Sequence, residues 1–130
     1  MTQPFGSFIR HAREAKKISL RKLAKRIGVS PTYLSKIERD EFRPPAEDKV
    51  KVIADILGCD ADALLARAGR VSSDLLDIIK RQPVELAALL RTTTGLQAKD
   101  IARLSRQVSY HPADLDAWVQ TQPREDTTDE

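Results

Sequence analysis

Apolar residues return at helical intervals along most of the chain, and polar residues fill the positions between them. In residues 5–17, Phe5, Phe8, Ile9 and Ala12 fall on one helical face, with Arg10, Arg13, Glu14 and Lys17 elsewhere. Ser19 reads as an N-cap. Leu20, Leu23, Ala24 and Ile27 then follow at helical spacing, with Arg21, Lys22, Lys25 and Arg26 outward. Gly28 stops this second element, because glycine enters the left-handed conformation without a Cβ clash. Ser30 caps a third helix and Pro31 suits its first turn, where no amide partner is lost. Leu34 and Ile37 point inward, and residues 41–45 form a loop. A fourth helix over residues 46–57 turns Val50, Ile53, Ala54 and Leu57 inward and ends at Gly58. Asp60 opens a short fifth helix through Leu64, Leu65 and Ala68, which ends at Gly69.

Beyond Gly69 the pattern resumes. Ser72 or Ser73 caps a helix containing Leu75, Leu76, Ile78 and Ile79, and Gln82-Pro83 breaks it. Pro83 opens another through Leu86, Ala87, Leu89 and Leu90. Thr92 to Gly95 is a turn, and residues 97–108 form a helix with Ile101, Leu104 and Val108 on one face. Pro112 opens a last helix with Leu115, Trp118 and Val119. No alternating apolar run is long enough for a strand. The expected fold is all-α: a five-helix domain over residues 1–69, a small helical region over 70–122, and a disordered acidic tail over 123–130.

Charge divides the chain in the same place. Residues 1–70 hold 15 Lys/Arg and 9 Asp/Glu, a net of +6; residues 71–130 hold 7 and 10, a net of −3. The basic half is the one suited to a polyanion. No apolar run approaches the ~20 residues of a membrane span, and residues 1–10 lack the pattern of a secretory signal. Cys59 is the single cysteine, so no internal disulfide forms and a reducing cytoplasm is expected. Cys59 with the distant His11 and His111 gives no metal-ligand spacing. Neither a nucleophile–base constellation nor a glycine-rich phosphate loop is present, so no enzymatic activity and no cofactor is expected.

The helix closed by Gly28 and the helix opened by Pro31 are joined by about three residues, the arrangement of a helix-turn-helix. Ala24 is small enough for close approach, and Val29, Leu34 and Ile37 pin the crossing. The run "SLRKLAKRIGVSPTYLSKIERD", followed by "PPAEDKVKVIADILGCDADALL", resembles the phage-repressor-like (XRE-type) helix-turn-helix family over roughly residues 5–68. That resemblance implies a five-helix repressor-like DNA-binding domain whose second helix crosses the DNA backbone and whose third lies in the major groove.

Carried over by position, it places Ser30, Pro31, Thr32 and Lys36 toward the major groove, with Tyr33 beside them, either on DNA or at the edge of the core. Thr32 can hydrogen-bond a base edge and touch a thymine methyl, and Lys36 can donate to guanine O6 and N7. Ser19, Leu20 and Arg21 begin the second helix, whose amides favour a phosphate. Lys22 and Arg43 are further phosphate candidates; Lys16, Lys17, Lys25 and Arg26 are either phosphate contacts or a solvated face. Arg13 and Glu38 match an ion pair that ties the first helix to the third. Two positions depart from the family: Leu20 and Pro31 stand where many relatives carry glutamine, so no relative's target sequence transfers. Asp40 replaces the glycine common after the reading helix.

The second region is rich in apolar side chains for its length. Leu75, Leu76, Ile79, Leu86, Leu90, Ile101, Leu104, Leu115 and Trp118 are expected to hold a homodimer. The function expected is a sequence-specific transcriptional regulator, a repressor above all, that binds a near-palindromic operator in double-stranded DNA as a homodimer, nucleoid-associated when bound. The alternative is a DNA-binding antitoxin or immunity-type regulator whose residues 71–122 bind a protein partner, a toxin or a protease.

Overall fold

The computed structural model describes residues 3–108. Among them are eight α-helices and one 3-10 turn: α1 Phe5–Ala15, α2 Leu20–Ile27, α3 Pro31–Glu38, α4 Glu47–Leu57, α5 Ala61–Arg67, α6 Ser73–Arg81, α7 Pro83–Thr92, the 3-10 turn Thr93–Gly95, and α8 Ala98–Val108. No strand occurs among the described residues. The helix expected after Pro112, with Leu115 and Trp118, and the tail at 123–130 lie outside them.

The chain divides after Arg81 into two compact units. In the first, α1 to α5 enclose a core of Phe5, Ile9, Leu23, Ala24, Ile27, Leu34, Ile37, Val50, Ile53, Ala54, Leu57, Leu64 and Leu65. Each of these helices turns its apolar stripe inward, as expected for an amphipathic helix on a globular core. α6 clusters with this unit, whereas the sequence pattern groups residues 70–81 with the region that follows. The reason is local. Arg70 and Ser73 hydrogen-bond to the loop before α4 and to its first residue, and so carry α6 along with the first unit.

The helix ends follow one rule with two kinds of residue. At α2 the Val29 N–H donates to the Ala24 carbonyl at 2.9 Å and Gly28, at φ +78°, donates to Lys25 at 3.2 Å. This double closure satisfies carbonyls that the helix itself leaves open. The same closure ends α3 at Asp40, φ +59°, where Glu41 donates to Lys36 at 2.9 Å. It also ends α1 at Lys17, φ +58°, where Ile18 donates to Arg13. α1 therefore stops at Ala15 and not at residue 17. Lys17 carries no sequence signal for a left-handed turn, and Arg13 explains why the turn forms there. Its Nη1 donates to the Ile18 carbonyl at 2.9 Å, holding the chain just past the bend.

Arg13 also donates from Nε and Nη2 to the two carboxylate oxygens of Glu38, at 2.8 and 2.9 Å. The Glu38 side chain is 4% exposed. These hydrogen bonds raise the Arg13 pKa above its ordinary value against the opposing effect of burial, so the guanidinium stays charged. Removing one partner of a buried pair strands the other charge, at a cost of about 3–5 kcal/mol where water is fully excluded. A second tie joins α1 to α3 at the other end. The Asp40 carboxylate accepts from the Gly6 N–H at 2.8 Å and the Ser7 hydroxyl at 3.0 Å, capping the start of α1 from across the fold. Gly6 is required there, because a Cβ would stand 2.1 Å from the Ile37 carbonyl oxygen.

In the second unit, α7 begins at Pro83 and passes into the 3-10 turn. The hydroxyls of Thr92, Thr93 and Thr94 donate back to the carbonyls of Leu89, Leu90 and Arg91. Asp100 caps α8 by accepting from the Gln97 N–H at 3.1 Å. None of the described side chains of α7 or α8 is buried.

Candidate nucleic-acid interface

The two helices that frame the bend at Gly28 are capped alike. Ser19 Oγ accepts from the Lys22 N–H at 3.1 Å, and Ser30 Oγ accepts from the Tyr33 N–H at 3.1 Å. Each serine thus satisfies one orphan amide of the helix it opens. The family resemblance places both toward DNA. The structure shows that each hydroxyl accepts a bond within its own helix and keeps its O–H free to donate. Lys49, from α4, donates to the Ile27 carbonyl at 2.9 Å and closes the far end of α2. The bend is therefore held from three sides: its own left-handed glycine, the cap on α3 and a lysine from α4.

Leu34 and Ile37 bury one face of α3, and Glu38 is fixed to α1. The opposite face carries Pro31 and Thr32, both exposed, with Tyr33, Ser35 and Lys36 half-buried. Arg21 and Lys22 are exposed at the start of α2, and Arg43 is exposed on the loop after α3. Lys16, Lys17, Lys25 and Arg26 are exposed as well. Pro31 and Thr32, at the N-terminal end of α3, are thus exposed together with the cations at the start of α2 and on the loop after α3. Tyr33 is half-buried and packs against the edge of the core.

Phe42 lies in the loop that follows α3, and the structure sets it against α3. The residue is 45% exposed, and its ring centroid lies 5.8 Å from that of Tyr33. The Lys36 ammonium lies 5.1 Å from the same centroid, within cation–π range. An aromatic residue in the charged, proline-rich run "RDEFRPP" was the available signal. Asp40, whose carboxylate caps α1, carried no signal beyond its tolerance of a left-handed backbone.

The helix-turn-helix family model matches residues 9–64, from the core of α1 to α5. This part of the chain belongs to the helix-turn-helix family. Among similar proteins is Uncharacterized HTH-type transcriptional regulator Rv0474 of Mycobacterium tuberculosis, strain H37Rv. It is 48% identical over 64 residues, which is 49% of this chain and 45% of that protein. HTH-type transcriptional regulator RghRB of Bacillus subtilis, strain 168, also described as uncharacterized, is 33% identical over 70 residues, 54% of this chain and 50% of that one. The chain thus spans about half the length of the curated relatives it matches. Of solved structures, the P22 c2 repressor in complex with a synthetic operator is 35% identical, covers 48% of this chain and 94% of that one, and gives a TM-score of 0.44. The residues matched by the family model begin within α1, take in α2, α3 and α4, and end within α5.

Proposed function

We propose that the chain is a transcriptional regulator that binds double-stranded DNA by seating α3 in the major groove. The observation that carries this reading is the exposed N-terminal end of α3, with exposed cations on α2 and on the loop after α3, in a segment matched to the helix-turn-helix family. Thr32 and Lys36 read base edges, with Pro31 and the hydroxyl of Ser30 at the entry of the helix and Tyr33 at its side. Arg21, Lys22 and Arg43 hold phosphates, and the Ser19 hydroxyl donates to another at the start of α2.

One such module covers few base pairs. Two linked modules gain affinity through effective concentration without any new contact. The exposed apolar side chains of α6 to α8 favour a second copy as the link, since Leu75, Leu76, Leu89, Leu90, Ile101 and Leu104 would otherwise remain in water. The operator is then a near-palindrome with half-sites about 34 Å apart or a multiple of that, and the regulator acts as a repressor by occupying it. Selection of bound duplexes from a random pool tests the whole reading. A two-fold symmetric motif is expected. Enrichment of no motif would overturn DNA recognition; a single unrepeated half-site would overturn the dimer and leave the apolar surface to a partner of different sequence.

A further inference from the structure

The segment between α5 and α6 is fastened to the helix-turn-helix unit as a strap. Arg70 donates from Nη1 to the Pro45 carbonyl and from Nη2 to the Pro44 carbonyl, the latter at 3.0 Å. Ser72 is buried. Ser73, the first residue of α6, donates its N–H at 3.1 Å and its hydroxyl at 2.9 Å to the two carboxylate oxygens of Glu47, the first residue of α4. Lys51, one turn along α4, holds the same carboxylate at 2.9 Å. Four hydrogen bonds thus fasten the base of α6 to the helix-turn-helix domain. A carboxylate that accepts from both donors of one residue fixes orientation as well as distance. α6 buries none of its side chains, so its direction is set at this base.

We infer that Glu47 and Ser73 are positioning residues whose clamp sets the direction in which α6 leaves the DNA-binding domain, and thereby selects the separation between the half-sites one dimer can bind. This rests on the homodimer reading above. A flexible connector lets two modules reach a range of separations, whereas a fixed one admits few. The Arg70 bonds land directly after Arg43, so the strap and a proposed phosphate contact share one loop.

The test uses the full chain, as wild type, Glu47→Ala and Ser73→Pro. Proline suits the first position of a helix and removes both donors of Ser73, so it decides the matter should Glu47→Ala not fold. Affinities are measured for the selected half-site alone and for pairs of it with separations stepped through one helical turn. The wild type should favour one separation over its neighbours by about tenfold. The variants should bind the single half-site within about twofold of wild type while losing that preference. Variants that keep the wild-type preference would overturn the inference and leave the dimer standing. A wild type that binds pairs no better than the single half-site would overturn the dimer reading and the inference together.

Discussion

Ile53 on α4 and Leu89 on α7 occupy the same kind of position, the apolar stripe of an amphipathic pattern, yet the first is 0% exposed and the second 55%. The difference holds across the two regions that carry them. From Phe5 to Leu65 the apolar stripes converge on one core. From Val71 to Val108 no hydrophobic side chain is buried, and Val84 is 75% exposed. Periodicity says that a helix has an apolar face; it does not say what covers it. In the first region five helices cover one another. In the second the described helices leave their apolar faces in water.

The sharpest way to break this contrast is to truncate one residue from each region. Ile53→Ala should destabilise the first unit by about 2–5 kcal/mol, since the lost contacts leave a cavity, read as a fall in its unfolding midpoint. Leu89→Ala should leave that midpoint unchanged and instead weaken self-association in sedimentation. An equal loss of stability from both would show that α7 belongs to the same cooperative core.

A smaller effect separates reading from holding. Thr32→Ala and Lys36→Ala should each weaken binding to the selected site by about 1–3 kcal/mol and relax base preference at one position. Arg21→Ala and Arg43→Ala should weaken all sequences alike and reduce the salt slope by about one charge. Filter binding over a salt series distinguishes the two patterns. Intact preference in Lys36→Ala would place the reading face elsewhere.

The smallest effect lies at the junction between the regions. Hydrogen bonds from Lys51 first, and then Ser73, hold the Glu47 carboxyl below its ordinary pKa. Asp74 is lowered likewise, mainly by Ser72, and Lys51 is raised by Glu47 with smaller help from Asp74 and Asp62. A lowered carboxyl contributes its stability in full above the unfolded pKa and loses it as pH falls through the folded one. Acidification below the ordinary carboxylate range should therefore loosen the base of α6 while the α1–α5 core persists. Amide exchange of α6, corrected for intrinsic rates, should show the loss of protection ahead of α3; simultaneous loss would count against a local clamp.

Much of this was legible because it is local. The stop at Gly28, the caps at Ser19 and Ser30, and the inward faces of α2 to α4 all follow from chemistry within four residues. The Arg13–Glu38 pair came from family resemblance, not from spacing. The stop at Lys17 was not legible, since the bond that secures it comes from Arg13 to the carbonyl beyond the bend. The place of Phe42 is not legible in the sequence, because its partners Tyr33 and Lys36 are on α3 and its exposure follows from the fold of the loop.

The amino-acid sequence by itself determined the helices, most of their ends and the basic surface of the first region, because backbone propensity, capping and side-chain periodicity act over a turn or two. The tertiary structure decided where the first unit ends, which residues brace α3, and which apolar faces stay uncovered. Those depend on partners far apart in the chain, such as Glu47 with Ser73 and Gly6 with Asp40, and such pairs meet only after the helices have packed.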